Sequence, residues 1–280
     1  MARMGENQYG KSRVRLSRIT RDGDGHHFQE WNVRVLLQGD FDDSFTKADN
    51  SKVLPTDTMK NTVYSLARDS GAATIEEFSI ELGDYLLVNN AQVTAVTVEI
   101  SERAWEPMIV DRKPEPHTFK LAGPELQTVR AARKKGGPWL VTSGVDGLTI
   151  LKTTKSGFEG YVKDRLTTLK PVSDRIFGTS ATATWQFSSP NPQYSKVRVQ
   201  VVSALMKEFA DHDSKSVQHT LFDMAKSALA AAPEVARITL TMPNLHHLLA
   251  DLSPFGQDNP NHIFVPIDEP HGYIEATIER

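Results

Sequence analysis

Arg13–Thr20 (RVRLSRIT) and Trp31–Gln38 (WNVRVLLQ), with the turn residues Asp22-Gly23-Asp24-Gly25 between them, set the reading of the whole chain. The first run alternates with period two and the second is also strand-like. A strand points successive side chains to opposite faces, so the pair reads as a half-buried hairpin closed by an Asp/Gly turn. Two helical segments follow. The first starts near Thr56-Asp57 and runs through MKNTVYSLARD to Gly71, with Met59, Val63, Leu66 and Ala67 near helical spacing. The second opens on Thr74-Ile75-Glu76-Glu77, a capping box ahead of FSIELGDYLL. Alternation returns at Val93–Ile100 (VTAVTVEI), and shorter strand-like pieces continue to Val141.

The same order then recurs. After Gly144-Val145-Asp146-Gly147 come strand-like Leu148–Thr153 and Thr182–Phe187, and helices near Lys196–Ala210 and from Ser216 to Ala231, the latter stopping before Pro233. Arg237–Met242 and Gly272–Ile278 close with strands. The 280 residues therefore read as one unit used twice, with domains expected at 1–140 and 141–280. Helices grouped between hairpin strands predict an antiparallel α+β layer with helices on one face, not a parallel βαβ sheet.

Composition removes several classes of function. Hydrophobic residues make up 39% and charged residues 24%, an ordinary globular balance. No apolar run approaches the ~18 residues that a spanning helix needs, so no membrane association is expected. The opening residues MARMGEN lack an apolar core, so no secretory leader is expected either. With no cysteine, thiolate zinc sites, Fe–S clusters and cysteine nucleophiles are all excluded. A net charge of −3 advertises no polyanion, and the basic group Arg130, Arg133, Lys134 and Lys135 reads as a solvated linker; no nucleic-acid partner is expected.

Motif searches mostly fail on context. Gly5–Ser12 (GENQYGKS) satisfies the phosphate-loop pattern, but only four residues precede it and a strand pattern follows where a helix is required. No G-x-G-x-x-G follows a strand, and G-x-S-x-G and H-E-x-x-H are absent. Adjacent strand residues face opposite ways, so His26-His27 and His246-His247 are poor chelates, and His26-His27 reads as an exposed turn. No metal ligand set is identified. What remains is a pair of equivalent helix starts, Thr56-Asp57 and Ser216-Val217-Gln218. Free N–H groups there suit a planar anion, although simple N-capping by Thr56 and by Ser214 or Ser216 accounts for most such residues and is the reading that the pattern alone favours.

Taken in order, the residues resemble the urate oxidase family along nearly the whole chain. The resemblance is carried by Asn7-Gln8-Tyr9-Gly10-Lys11, Thr46–Ser51 (TKADNS), Thr56–Tyr64 (TDTMKNTVY), Gly147–Lys152 (GLTILK), Thr167–Lys170 (TTLK), Asp174-Arg175-Ile176, Pro243-Asn244-Leu245-His246, Asp251-Leu252, Phe255–Asn261 (FGQDNPN) and Ile274–Ile278 (IEATI). It implies two tandem T-fold (tunnelling-fold) domains, which agrees with the duplicated pattern. It also implies oxidation of urate by dioxygen to 5-hydroxyisourate and hydrogen peroxide without metal or organic cofactor, in a homotetramer with active sites shared between subunits.

By the same resemblance, Lys11, Thr56 and His246 form the family's proton relay, a task that requires the lysine to accept a proton and the hydroxyl to pass it on. Arg175 grips one edge of urate with its planar fork and Gln218 bonds the opposite edge. Phe158 stacks on the purine face, Leu169 lines the pocket, and the backbone N–H groups of Asp57 and Val217 add contacts. Asn244, with Thr56, holds dioxygen or water above the ring. Lys11, Thr56 and Asp57 would come from one chain and the other residues from its neighbour. The ending Ile278-Glu279-Arg280 lacks a Ser-Lys-Leu peroxisomal address, so a bacterial, cytoplasmic enzyme is expected. Pro55, Leu245, Leu248, Gly157 and Tyr161 depart from the family pattern without removing a chemical group from the site. The rival readings are another T-fold enzyme acting on a purine or pterin, and a non-catalytic protein that binds one.

Overall fold

The computed structural model describes residues 2–23 and 25–280; Met1 and Asp24, the latter in the first expected turn, lie outside the described residues. The chain divides into two compact units, Met1–Gly144 and Val145–Arg280. Each has its own hydrophobic core.

In the first unit, β1 (Tyr9–Asp22) and β2 (Gly25–Gly39) form the expected hairpin. A five-residue helix α1 (Asp42–Thr46), which the periodicity does not reveal, precedes α2 (Thr56–Asp69) and α3 (Ile75–Asn89). β3 (Val93–Val110) and β4 (Lys113–Lys134) then add to β2, all antiparallel, in the order β1-β2-β3-β4. The several short strands expected before Val141 are in fact one long hairpin, whose register shifts near Trp105 and Ile109.

Alternation puts Trp31, Val33, Val35 and Leu37 of β2 on one face, each essentially without solvent exposure. Helix periodicity sets Met59, Val63 and Ala67 of α2 on a single stripe, and α3 presents Phe78, Leu82 and Leu86 in the same way. The Trp31 and Phe78 rings meet at 4.9 Å. Burying each such large side chain contributes about 1.5–3 kcal/mol, so this layer dominates the unit's stability. Gly10 sits where a Cβ would overlap the Val35 carbonyl, which allows β1 to lie tightly against β2 beside Lys11.

β5 (Leu140–Lys152) spans the unit boundary. The second unit continues with β6 (Phe177–Phe187), α4 (Tyr194–Asp211), α5 (Val217–Ala231), β7 (Val235–Thr241), β8 (Asn244–Leu249), β9 (Phe264–Gly272) and β10 (Glu275–Glu279). β7 lies between β6 and β10, while β8 pairs with both β6 and β9, all antiparallel. Phe177, Ala183 and Trp185 of β6 pack into one core with Val201 and Leu205 of α4 and Leu221 and Met224 of α5. β8 and β9 were not foreseen; Gly272, expected to open the last strand, instead ends β9.

The phosphate-loop match is disposed of by the backbone, since Tyr9–Ser12 lie within β1 and no helix follows. Arg130, Arg133 and Lys134 belong to β4, not to a linker, and Arg130 pairs with Glu99 at 3.5 Å and Arg133 with Asp84 at 2.6 Å. On β2, His26 is half-buried and His27 exposed, and the His26 ring meets His117 at 4.4 Å.

The capping box is present in full. Thr74 accepts from the Glu77 amide at 3.2 Å, and the Glu77 carboxylate accepts from the Thr74 amide at 3.2 Å. Thr74→Ala removes the N-cap acceptor and is expected to lower unfolding stability by about 1 kcal/mol in denaturant titrations, with Thr74→Ser nearly unchanged. Equal stability of the alanine variant would show that the cap contributes nothing.

Candidate active site

The irregular segment between β5 and β6 supplies one wall of a cavity in the second unit. Its shape comes from polar ties. The Asp174 carboxylate accepts from the Thr154 hydroxyl at 2.7 Å and the Ser156 amide at 3.2 Å, and the Arg175 amide donates to the Ser156 carbonyl at 2.7 Å. Those hydrogen bonds, Thr154's first, hold the Asp174 carboxyl below the usual carboxylate range. Phe158 and Val172 exchange backbone hydrogen bonds at 2.7 and 3.2 Å. Gly157 lies so close to the Ser173 carbonyl, 2.8 Å from where a Cβ would stand, that a side chain would force the segment apart.

The same segment is tied to the start of α5. The Gly157 amide donates to the Ser214 carbonyl at 2.8 Å, and the Ser214 amide to the Lys155 carbonyl at 2.9 Å. Ser216 caps α5 by accepting from the His219 amide at 3.1 Å. Val217 and Gln218 follow in the first turn, where backbone N–H groups have no acceptor within the helix and carry partial positive charge.

A third wall comes from β8. Its pairing with β9 shifts register between Asn244 and His246, and both of these line the cavity while Leu245 between them does not. The Asn244 amide nitrogen lies 3.4 Å from His246 Nδ1. Burial, then the Arg175 charge, then His271, hold the His246 ring below the ordinary histidine range. Burial alone pushes the Arg175 guanidinium down, although an arginine there remains charged. That guanidinium sits 5.6 Å from the centre of the Phe158 ring, within cation–π range.

These walls enclose a cavity of about 850 Å³ whose lining includes Phe158, Leu169, Arg175, Val217, Gln218, Asn244 and His246. That size is ample for a bicyclic heterocycle. All seven residues expected from the second half of the chain thus share one space. Lys170, Asn261 and His262 line it too, and the sequence reading did not assign them. Tyr161, noted there only as a departure, stacks on Phe158 at 4.9 Å and 13°, and its hydroxyl donates to the Leu169 carbonyl at 2.6 Å.

The three candidates in the first unit also fall close together in the fold. Lys11 pairs with Val35 on β1 immediately before a bulge, with Arg13 at φ 59°, and such bulges re-aim neighbouring side chains. Thr56 and Asp57 open α2. Thr56 is not the cap: that position is Pro55, whose φ of −56° suits proline, and no side chain caps the helix. The Pro55 departure is therefore accommodated without strain. Lys60 hydrogen bonding chiefly, with a smaller contribution from Lys11, holds the Asp57 carboxyl below its usual range.

Because its folded-state value is lowered, His246 is a neutral imidazole at pH 7 and protonates only below the ordinary histidine range. Native stability contributed by that neutral ring is fully present above about pH 6.5 and is lost as pH falls from there through the folded-state value. An NMR titration is expected to place the His246 midpoint below 6.5; a midpoint at or above it would contradict this environment.

The Uricase family profile matches residues 7–132 and 141–275. The chain is 40% identical to a uricase of Arthrobacter globiformis, over 99% of this chain and 90% of that one. It is 38% identical to a uricase of Dictyostelium discoideum, over the whole of this chain and 98% of that one. The crystal structure of the Arthrobacter globiformis uricase superposes with a TM-score of 0.94 at 38% identity, covering 100% of this chain and 96% of that one. The two units are the tandem T-folds of such proteins, and this chain belongs to the Uricase family.

Proposed function

We propose that the chain oxidises urate with dioxygen and water to 5-hydroxyisourate and hydrogen peroxide, using no metal or organic cofactor. The observation that carries this reading is the convergence of Phe158, Arg175, Val217, Gln218, Asn244 and His246 on one cavity. Urate is a flat anion with hydrogen-bonding edges. Arg175 supplies a charged fork to one edge, and Gln218 an amide that donates and accepts at the opposite edge. The Phe158 ring covers a face, Leu169 closes an apolar side, and the Val217 N–H adds the positive end of α5.

Two electrons leave the urate ring for dioxygen, water adds a hydroxyl to the ring, and two protons end on the peroxide. The protein's part is to hold the reactants and move protons. Asn244 and the Thr56 hydroxyl hold dioxygen or water over the ring. Lys11, Thr56 and His246 form the relay, with neutral His246 able to accept a proton. The Asp57 N–H, at the uncapped start of α2, binds a further substrate atom. The reading includes a homotetramer in which Lys11, Thr56 and Asp57 of one chain complete the cavity of another. Its setting is the cytoplasm of a bacterium, supported by the likeness to the Arthrobacter uricase. Among the described residues no helix is long and apolar enough to cross a membrane.

Urate loss and peroxide production are expected to survive exhaustive chelation; activity that vanishes and returns with one added metal would overturn the cofactor-free reading. Lys11→Met and Thr56→Ala are expected to lower kcat about a hundredfold with little change in urate binding, whereas Arg175→Ala raises KM strongly. Near-normal turnover in Lys11→Met would end the relay assignment. Lys11→Ala and Arg175→Ala chains, refolded together, are expected to regain about one quarter of the sites by random mixing. Proven mixing without recovered activity would exclude a site shared between chains.

A further inference from the structure

His212, His219 and Asp223 are brought together at the junction of α4 and α5, outside the lining of the urate cavity. His212 is the C-cap residue of α4, while His219 and Asp223 stand one turn apart on α5, on the same helix face. Asp223 Oδ2 lies 3.4 Å from His212 Nδ1 and 3.2 Å from His219 Nε2, and one donor atom from each of the three residues falls within 4.8 Å of the others. The two rings meet edge to face at 4.5 Å.

We propose that His212, His219 and Asp223 form a transition-metal site, with zinc the fitting ion, that clamps the end of α4 to the first turns of α5. Donors bound tetrahedrally at about 2.0–2.1 Å are about 3.3–3.4 Å apart, which is the spacing already found from Asp223 to each ring. Two imidazoles and one carboxylate are a borderline-soft N/N/O set that suits zinc and its first-row neighbours over calcium or magnesium. Glu208 Oε1, 3.8 Å from His212 Nδ1, adds a second negative charge beside the cluster. The His212 side chain is only 9% exposed and its Nε2 has no hydrogen-bond partner, so the ring's polar attachment is entirely through Nδ1. His219, 47% exposed, and Asp223, 26% exposed, provide the way in from solvent. Lys152 completes the junction from β5, donating to the Phe209 carbonyl at 3.0 Å and to the His212 carbonyl.

The site is separate from the oxidation chemistry. Its bound ion would brace the His212–Ser216 loop that leads into Val217 and Gln218, so it is a structural metal and the chelated enzyme still turns over. The test uses the full-length protein, stripped with chelator and titrated with Zn²⁺ by calorimetry, with thermal unfolding and the visible absorption of bound Co²⁺ as second readouts. One Zn²⁺ per chain and a raised Tm are expected. His219→Ala and the isosteric Asp223→Asn should each weaken binding at least about tenfold, and His117→Ala, at the other histidine pair, should not. No stoichiometric binding, or binding unaffected in both His219→Ala and Asp223→Asn, would overturn the proposal and leave Asp223 as a hydrogen-bond bridge between two rings. Because metal uptake is read directly, its failure leaves the urate reading untouched.

Discussion

The carboxylate of Asp174 accepts from a hydroxyl twenty residues back along the chain and an amide eighteen back, and a wall of irregular backbone is shaped by that one acceptor. Phe158 and Arg175 sit on this wall, which has almost no ladder of its own to hold it. The tie is passed on through Gly157 and Lys155 to Ser214, and so to the first turn of α5. Cavity residues from two separate stretches are thus tied to Asp174, whose ionised form these hydrogen bonds favour. Its lowered value means that the support is intact above the ordinary aspartate range and is lost as pH falls through the folded-state value.

The two units use one plan with different chemistry at their helix starts. Ser216 caps α5 conventionally, so the hydroxyl there is spent on the helix itself. α2 begins after Pro55 without any side-chain cap, which leaves the Thr56 hydroxyl free of that duty. A duplicated fold thus offers one helix terminus stabilised internally and one with a hydroxyl available for other work. Neighbouring β1 carries Lys11 on a bulge, a departure from ladder geometry of the kind that recurs beside active sites.

Much of this was legible because it rests on local rules. Alternation in RVRLSRIT and WNVRVLLQ, the Thr74–Glu77 capping box and the stop before Pro233 all depend on residues near in sequence, and each element formed where expected. Residues of the Arg175 and Asn244–His246 stretches were identifiable by their likeness to the family, and the fold brings them to one cavity. What escaped depends on partners far along the chain. β8 and β9 are short, and Pro266 and Pro270 interrupt any alternation in β9, so only their pairing defines them. α1 is five residues with no buried side chain, hence no apolar stripe to read. Asp174 looked like a neighbour of Arg175, and nothing in its spacing from Thr154 shows that the two would meet. Tyr161 registered as a change of letter, whereas its stacking on Phe158 needs the loop's path to be known.

The short strand β8 also limits how such a sequence is free to vary. Leu245 pairs beside Gly178 on the face away from the cavity, between two residues that line it. Leu245 instead lines a second cavity with Ile150, Leu151 and Ile267, so a changed side chain there meets those neighbours. A change of length acts differently. Inserting or deleting a single residue between Asn244 and His246 would change their spacing, and with it which of them reaches the cavity. A substitution there leaves the spacing of Asn244 and His246 intact, and a change of length does not.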